Sequence, residues 1–287
     1  MTSARGGSPT VRRRRLAREL RQLREERGLT IGEVGHATDI SPATVQRYET
    51  ERGAVKVNYV RALLDLYDTS DKLRETLVDI ARNSRQKGWW AAYGDVIRPD
   101  FEEYVGLEAE ATSLRVYDAN LINGLLQTPE YARALLTAVR PTDSPANIDR
   151  LVDLRMQRQA LLDRRPRFSL WAIVDEAVLR RPVGGPDVMC DQLRHLVKAT
   201  ELPNVTLQVM PFHGGAHTGL NGPFSVLEFP RRGDPDVVYI DGPAGNLYVE
   251  NAPDIDWFTL VFDHLRADAM APDRSAEFIE AAVRELT

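Results

Sequence analysis

Residues 29–49 constrain the fold more than any other stretch, because their pattern predicts two short helices joined by a tight turn. Thr30 is a favourable N-cap, since its hydroxyl accepts a hydrogen bond from a backbone amide that the helix leaves without a partner. Ser41 caps the second helix, and Pro42 follows at the first helical position, where a missing N–H costs nothing. Gly35, in the middle of the first helix, lowers helix stability relative to alanine. Its presence indicates that the second helix crosses close to it.

The second helix has two distinct faces. Val45 and Tyr48 stand three positions apart, so they lie on one side of the helix and are expected to face the core. The opposite side carries four outward residues: Pro42, Ala43, Gln46 and Arg47. The same periodicity predicts two further helices, at about residues 13–26 and 58–67.

This segment resembles the helix-turn-helix of Xre-type, phage-repressor-like DNA-binding domains. The resemblance rests on L-R-E-E-R-G-L-T from Leu23 and on G-E-V-G-H-A-T-D-I-S-P-A-T-V-Q-R-Y-E from Gly32. It implies that the second helix lies in the major groove of double-stranded DNA, with the two reading helices of a homodimer in successive grooves. It also implies an ion pair between Arg24 and Glu49, which ties the first helix to the reading helix. An ordinary helical hairpin is the alternative interpretation.

Base reading is expected from the outward face of the second helix. Arg47 can hold guanine with two hydrogen bonds, Gln46 can address adenine, and Ala43 offers a methyl group to thymine. The sequence departs from the family at Ile31, where a phosphate-binding glutamine is common, and Pro42 has no N–H to donate. Both departures increase the share of recognition that we expect from Gln46 and Arg47.

Phosphate contacts are expected from basic side chains and from hydroxyls and amides at the helix starts. The residues that we assign to DNA phosphates are Arg12, Arg13, Arg14, Arg15, Thr30, Ser41 and Thr44. The arginine run has a second interpretation as a solubilising helix start, although its positive charge opposes the helix dipole there. Its position beside the motif favours contact with DNA.

Charge is distributed unevenly along the chain. Residues 1–68 hold 13 Lys and Arg against 9 Asp and Glu, whereas the remainder holds 24 against 33, which gives the formal net charge of −5. A basic head on an acidic body is typical of a nucleic-acid reader that carries a sensory or partner-binding domain. Cys190 is the only cysteine, so an internal disulfide and a thiolate metal cluster are excluded. No stretch predicts a membrane span or an export signal, and we expect a cytoplasmic, nucleoid-associated protein.

The expected fold class is α+β, with an N-terminal all-α helix-turn-helix domain and a larger α+β C-terminal domain. The predicted division is a disordered arm at residues 1–11, the helix-turn-helix domain at 12–68, a helical linker at 69–100 and the α+β domain at 101–287. The linker contains an aromatic cluster of Trp89, Trp90 and Tyr93, which is expected to be packed. An aromatic cage for a ligand is the alternative interpretation of this cluster.

Hydrophobic periodicity changes within the C-terminal body. Strands are expected at residues 167–174, 205–210, 224–229, 237–240 and 247–249. Helices are expected at residues 129–139, 148–163, 186–200, 253–269 and 272–286, and residues 104–117 predict a helix or a helix-to-strand segment. Because the strands cluster late in the chain, we expect the helices on one side of the sheet.

The body also resembles the C-terminal domain, described as antitoxin-like, of a large actinobacterial group of Xre regulators. This resemblance rests on I-N-G-L-L-Q-T-P-E-Y-A-R-A-L-L from Ile122, R-M-Q-R-Q from Arg155 and L-Q-V-M-P-F-H-G-G from Leu207. It implies that the body binds a small companion protein and that DNA binding responds to that partner. A small molecule in a cleft near residues 214–222 is the alternative.

Catalytic and metal-binding motifs were sought in the body. His213 and His217 stand four positions apart in F-H-G-G-A-H, but the two glycines between them indicate a loop, and no motif places a third zinc ligand. We therefore assign His213, Gly214, Gly215 and His217 to a candidate ligand or partner loop, and we expect no metal and no cofactor. No phosphate-binding loop, dinucleotide fingerprint or nucleophile elbow is present, so the chain is not expected to be an enzyme. A metal-dependent or acid/base enzyme with a DNA-binding head is the rival interpretation.

Overall fold

The computed structural model describes residues 9–50, 55–83, 88–165, 167–229, 236–242 and 244–286. The chain divides into two compact units, Met1–Ala91 and Ala92–Thr287. The described part of the first unit is helical, and the second contains a six-stranded mixed sheet with helices. The expected α+β class, with an all-α helix-turn-helix domain at the N-terminus, is therefore confirmed.

The described residues of the first unit form five α-helices. They are α1 (Pro9–Glu26), α2 (Ile31–Thr38), α3 (Pro42–Glu49), α4 (Val57–Leu66) and α5 (Asp71–Asn83). Helix α1 begins at Pro9 rather than near residue 13, so residues 9–11, which the sequence analysis places in a disordered arm, are helical. The rest of that predicted arm, residues 1–8, lies outside the described residues.

One hydrophobic core joins the helices of the first unit. Helix α1 contributes Leu16 and Leu20, α3 contributes Tyr48, and α5 contributes Leu77 and Ala81, all of them buried. Because the buried face of α5 packs in this core, α5 belongs to the helix-turn-helix unit and not to the linker predicted at residues 69–100. Its amphipathic stripe needs a partner to bury it, and α1 and α4 supply one.

The aromatic cluster lies in a 3-10 turn at Trp89–Tyr93. Trp90 is buried, but Trp89, whose ring meets that of Trp90 edge-on at 5.9 Å, remains exposed. Tyr93 is half-buried, and its hydroxyl accepts a hydrogen bond from Gln157 Nε2 at 2.7 Å. The expected packing is therefore wrong for Trp89, since one face of a short turn cannot cover two adjacent indoles.

The described residues of the second unit form six strands and seven further α-helices. The strands are β1 (Ser113–Asp118), β2 (Ser169–Asp175), β3 (Val205–Met210), β4 (Phe224–Glu228), β5 (Val237–Ile240) and β6 (Leu247–Val249). The helices are α6 (Pro99–Glu108), α7 (Pro129–Val139), α8 (Pro145–Gln159), α9 (Glu176–Arg180), α10 (Pro186–Ala199), α11 (Ala252–Asp268) and α12 (Pro272–Leu286). The five predicted strands and five predicted helices are present. The helix-to-strand alternative for residues 104–117 is also confirmed, since α6 is followed by β1 there.

The sheet has the strand order β3-β2-β1-β4-β5-β6. Strands β1, β2 and β3 are parallel, whereas β4, β5 and β6 are each antiparallel to their neighbours. Strand β5 therefore runs in the same direction as β1. The ends of β1, β2, β3 and β5 consequently meet at one edge of the sheet, which we call the carboxyl edge.

Helices cover both faces of this sheet. Phe262 and Leu265 of α11 pack with Tyr117 and Ile173 on one face. On the opposite face the ring of Tyr239 lies 4.2 Å from that of Tyr104 in α6. The expectation that all helices lie on one side is therefore wrong, because parallel strands joined by crossover helices are buried on both faces.

Candidate nucleic-acid interface

Helix α2 begins with a reciprocal hydrogen-bonded cap. Thr30 Oγ1 accepts from the backbone N–H of Glu33 at 3.2 Å, and Glu33 Oε2 accepts from the Thr30 N–H at 2.8 Å. The Thr30 hydroxyl also donates to Glu33 Oε2 at 2.8 Å. These hydrogen bonds, the one from the backbone first, lower the pKa of Glu33 below its usual value. The carboxylate of Glu33 thus occupies the start of α2, and the N–H and the hydroxyl of Thr30 are both hydrogen-bonded to Glu33.

The turn and the start of α3 are fixed by local geometry. Asp39 adopts the left-handed conformation (φ 55°) that ends α2, and Ile40 is buried beneath the turn. Ser41 Oγ accepts from the Thr44 N–H at 3.3 Å and donates to Thr44 Oγ1 at 2.8 Å. Pro42 occupies the first helical position, as predicted. Two of the three hydroxyls assigned to phosphate contacts, those of Ser41 and Thr44, are therefore hydrogen-bonded to one another.

Gly35 lies at the closest approach of α2 to the start of α3. A Cβ built on Gly35 lies 2.8 Å from the carbonyl oxygen of Ile40 and 3.2 Å from Cδ and Cγ of Pro42. No real side chain fits at that distance without a shift of the backbone. The helix crossing predicted from the glycine is confirmed, and any larger residue at this position requires the backbone to shift.

The outward face of α3 is the surface that can enter a groove. Ala43, Gln46 and Arg47 are exposed, whereas Val45 and Tyr48 are buried. The guanidinium carbon of Arg47 lies 5.6 Å from the ring centroid of Tyr48. Arg47 thus lies partly along its own helix, at a distance that allows a weak cation–π contact. The three predicted base readers therefore share one exposed face of a short helix.

Behind this face, Arg24 and Glu49 form a two-pronged ion pair. Arg24 Nε lies 2.7 Å from Glu49 Oε1, and Arg24 Nη2 lies 2.9 Å from Glu49 Oε2. Their side chains are only 12% and 4% exposed. The hydrogen bonds that Arg24 donates to Glu49 raise the pKa of the Arg24 guanidinium above its usual value. Arg24 Nη1 also donates to the carbonyl oxygen of Leu29 at 2.8 Å, so this side chain joins α1, the segment before α2 and the end of α3.

The predicted arginine run is described only in part. Arg14 and Arg15 are half-buried in α1, whereas the side chains of Arg12 and Arg13 lie outside the described residues. Two exposed cations that the sequence analysis does not name, Lys56 and Arg61, lie at and near the start of α4. The sequence offered no motif for them, since neither belongs to the helix-turn-helix run.

The candidate ligand or partner loop of the second unit separates its two histidines. His213 is exposed in a 3-10 turn at Phe212–Gly214, as are the glycines Gly214 and Gly215. The imidazole of His217 is 7% exposed, and its Nδ1 accepts from the Gly219 N–H at 3.2 Å. Its Nε2 lies 3.9 Å from Asp175 Oδ2. Among the described residues, no group of three His, Cys, Asp or Glu side chains is arranged to hold a metal ion.

Comparisons with known families agree with this division. Residues 15–77 match a helix-turn-helix domain. Residues 101–281, more than half of the chain, match a family described as a domain of unknown function, DUF5753. The chain belongs to the DUF5753 family. Searches of curated proteins and of solved structures give no match to the chain.

The helix-turn-helix match confirms the predicted type of the N-terminal domain and indicates a DNA-binding regulator. The match ends within α5, in keeping with the place of that helix in the N-terminal core. The DUF5753 domain contains β1 to β6 entirely. In the part of the chain that the structure describes, no helix has the length and apolar character needed to cross a bilayer.

Proposed function

We propose that this chain is a sequence-specific transcriptional regulator of the Xre type, which binds double-stranded DNA as a homodimer. The observation that carries the proposal is the exposed face of α3, with Ala43, Gln46 and Arg47 held outward by the Arg24–Glu49 pair behind them. Two copies place these helices in successive major grooves, with half-sites about 34 Å apart. Chromosomal DNA as the target implies a cytoplasmic, nucleoid-associated protein without catalytic activity.

Recognition is divided between base readers and phosphate contacts. Arg47 binds guanine through two hydrogen bonds after it leaves the ring of Tyr48, and Gln46 addresses adenine. Arg14 and Arg15 in α1 bind phosphates. Since Thr30 is engaged by Glu33, the start of α3 is the better phosphate site of the two helix starts. There the Ser41 hydroxyl, now shared with Thr44, can turn to a phosphate oxygen.

The DUF5753 domain is the regulated part, and we propose that it binds a small companion protein. Trp257 and Leu260 of α11 support this assignment, since their side chains are 49% and 56% exposed and lie three positions apart. Leu220, in the turn that packs beside α11, is also exposed. Apolar side chains grouped in this way are typical of protein–protein contacts.

Chromatin capture tests the proposal directly. The protein is cross-linked in its own cells and recovered, the attached DNA is sequenced, and the co-purified proteins are identified by mass spectrometry. We expect a common sequence with approximate two-fold symmetry, together with one small protein in constant ratio. The purified chain should then retard the recovered fragments in a gel. Failure to retard any of them overturns the DNA-binding proposal, whereas loss of the small protein alone overturns the companion proposal.

A further inference from the structure

Two arginines of α8, three positions apart, are paired in different ways. Arg158 Nε and Nη2 each donate to Glu108 at 2.7 Å, and both side chains are buried. Arg155 makes one hydrogen bond to a described residue, from Nη1 to Gln127 Oε1 at 2.7 Å. No described carboxylate forms an ion pair with it. Four of its five N–H groups therefore have no protein acceptor among the described residues.

The environment of Arg155 makes the lack of a counter-ion costly. Burial, followed by the nearby positive charge of Arg158, lowers the pKa of Arg155 to about 10. The side chain is nevertheless partly accessible to solvent. Arg155 is therefore a partly desolvated cation that solvent still reaches. Removal of a charge from water costs free energy that only a partner of opposite charge offsets.

Two other donors at this end of the sheet have no hydrogen-bond partner among the described residues. The hydroxyl of Tyr239 and Nδ2 of Asn246 are buried and form no hydrogen bond with any described residue. Arg155 and Tyr239 share two electrostatic neighbours, Arg158 and Asp241. Arg98 connects Asn246 with Asp241. Its Nη2 donates to Asn246 Oδ1 at 3.0 Å and lies 3.5 Å from Asp241 Oδ1.

At the rim of this group one arginine faces two carboxylates. Arg98 lies between Asp100, at 3.3 Å, and the exposed Asp241, at 3.5 Å. Arg155 forms no ion pair with a described carboxylate, although Asp241 is an electrostatic neighbour, and the Tyr239 hydroxyl and the Asn246 amide can both donate hydrogen bonds. The missing chemistry is therefore an anionic acceptor.

The position in the fold is one where ligands commonly bind. Gln127, which holds Arg155, lies in the segment that follows β1, and Tyr239 lies at the end of β5. Both strands end at the carboxyl edge of the sheet, and Asn246 immediately precedes β6 there. Open sheets bind ligands beyond the carboxyl ends of their parallel strands, where loops bring polar groups together.

We propose that Arg155, Tyr239 and Asn246 form a binding site for the oxyanion of a small molecule, a carboxylate or a phosphate. Arg155 offers a pair of N–H groups in the geometry that suits two oxygens. The Tyr239 hydroxyl and the Asn246 amide each add a hydrogen bond. The exposed Asp241 at the rim favours a ligand that carries a hydroxyl or an amine next to its anionic group. The site is independent of the DNA-binding proposal, and either is testable without the other.

Thermal unfolding of the full chain tests the site with simple anions. The midpoint is measured against increasing inorganic phosphate or acetate, with chloride at the same ionic strength as the reference. A ligand of the folded state raises the midpoint in a saturable manner. We expect such a rise with at least one anion. A rise with phosphate indicates a phosphate site, and a rise with acetate indicates a carboxylate site. No saturable rise with either anion overturns the proposal.

Two variants and a control assign the effect to these residues. Arg155→Met should abolish the saturable rise, whereas Arg133→Met, which removes an exposed arginine of α7 paired with Asp149, should retain it. Tyr239→Phe removes only a hydroxyl that has no partner among the described residues, so the anion-free midpoint should stay the same or increase. The same variant should weaken anion binding about tenfold, the effect of one charge-assisted hydrogen bond.

Tyr239→Phe decides the question if Arg155→Met does not fold. A purely structural hydroxyl would lower the midpoint on removal and leave anion binding unchanged. Unchanged anion binding in Tyr239→Phe, or in a folded Arg155→Met, therefore overturns the proposed site.

Discussion

Arg24 and Glu49 form two hydrogen bonds, of 2.7 and 2.9 Å, between the last turn of α1 and the last residue of α3. A two-pronged contact between planar groups fixes orientation as well as distance. Because Arg24 also holds the carbonyl oxygen of Leu29, the pair sets the position of α3 relative to the rest of the domain. Neither residue belongs to the exposed reading face, yet the orientation of Gln46 and Arg47 depends on both.

Glu49→Ala should therefore lower both stability and DNA affinity. It leaves the Arg24 guanidinium mostly buried without its carboxylate, and the loss of one partner of such a pair costs about 3 kcal/mol. Urea denaturation followed by circular dichroism measures the change in the free energy of unfolding. Arg21→Ala is the matched control, since it breaks an exposed ion pair with Glu25 within α1 and should change the free energy of unfolding little. Equal effects of the two variants would show that the buried pair has no special role.

The helix-turn-helix was predictable because its determinants are local. The caps at Thr30 and Ser41, the proline after Ser41 and the spacing of Val45 and Tyr48 each act within one or two turns of helix. The partner of Glu49 required the resemblance, since no local rule joins residues 25 positions apart.

The body was less predictable where long-range pairing decides the structure. Strand β1 has only a weak pattern of its own, and its extended conformation is stabilised by β2 on one side and β4 on the other. Helix α5 has a clear apolar stripe, but the stripe alone does not indicate which hydrophobic core the helix packs into. Arg155 and Arg158 occur in one short run, R-M-Q-R-Q, so the sequence does not distinguish their partners. In the tertiary structure Arg158 pairs with Glu108, whereas Arg155 donates to Gln127 and pairs with no described carboxylate.

Gly35→Ala should destabilise the helix-turn-helix although alanine is the better helix former. The new Cβ would lie 2.8 Å from the carbonyl oxygen of Ile40, which is backbone and cannot rotate away. Such overpacking costs about 1–3 kcal/mol, which exceeds the gain of about 1 kcal/mol in helix propensity. In Gly32→Ala, on the same helix, the new Cβ meets only Thr30 Oγ1, at an ordinary contact distance of 3.9 Å, so this variant should stabilise the domain. Denaturation midpoints of the two variants should thus shift in opposite directions, and a shift in the same direction would refute the close crossing.

Asp118→Asn should reduce the dependence of stability on pH. Burial raises the pKa of Asp118 to about 8, from an ordinary value of 3.8. Between those values the folded state holds a proton that the unfolded state releases, so wild-type stability falls as the pH rises from about 4 to about 8. Asparagine is neutral throughout, and its carbonyl oxygen can still accept the hydrogen bond from the backbone of Asn123.

Urea midpoints measured at several values between pH 5 and pH 8 check this prediction. Asp118→Asn should be more stable than the wild type at pH 8, with a smaller difference at pH 5. Asp149→Asn serves as the control, since that carboxylate is exposed and paired with Arg133. An unchanged slope in Asp118→Asn would mean that the carboxyl group is ionised in the folded chain.

Arg47→Ala should remove discrimination at one base pair of the operator. A guanidinium that binds guanine through two hydrogen bonds contributes about 1–3 kcal/mol of preference over the other bases. Binding to a recovered operator and to its single-base variants should lose that preference at one position in each half-site. Arg14→Ala, by contrast, should weaken binding to all DNA alike and reduce the dependence on salt, as expected for a phosphate contact.

Arg82→Ala, which removes an exposed arginine of α5 paired with Asp79, should leave the base discrimination and the salt dependence of DNA binding unchanged. If Arg47→Ala instead weakens specific and random DNA equally, Arg47 contacts phosphate. Base reading would then rest on Gln46 and Ala43, whose side chains distinguish adenine and thymine but offer no two-pronged contact to guanine. The operator of such a protein should be rich in A·T pairs at the reading positions, and the sequenced DNA fragments would show it.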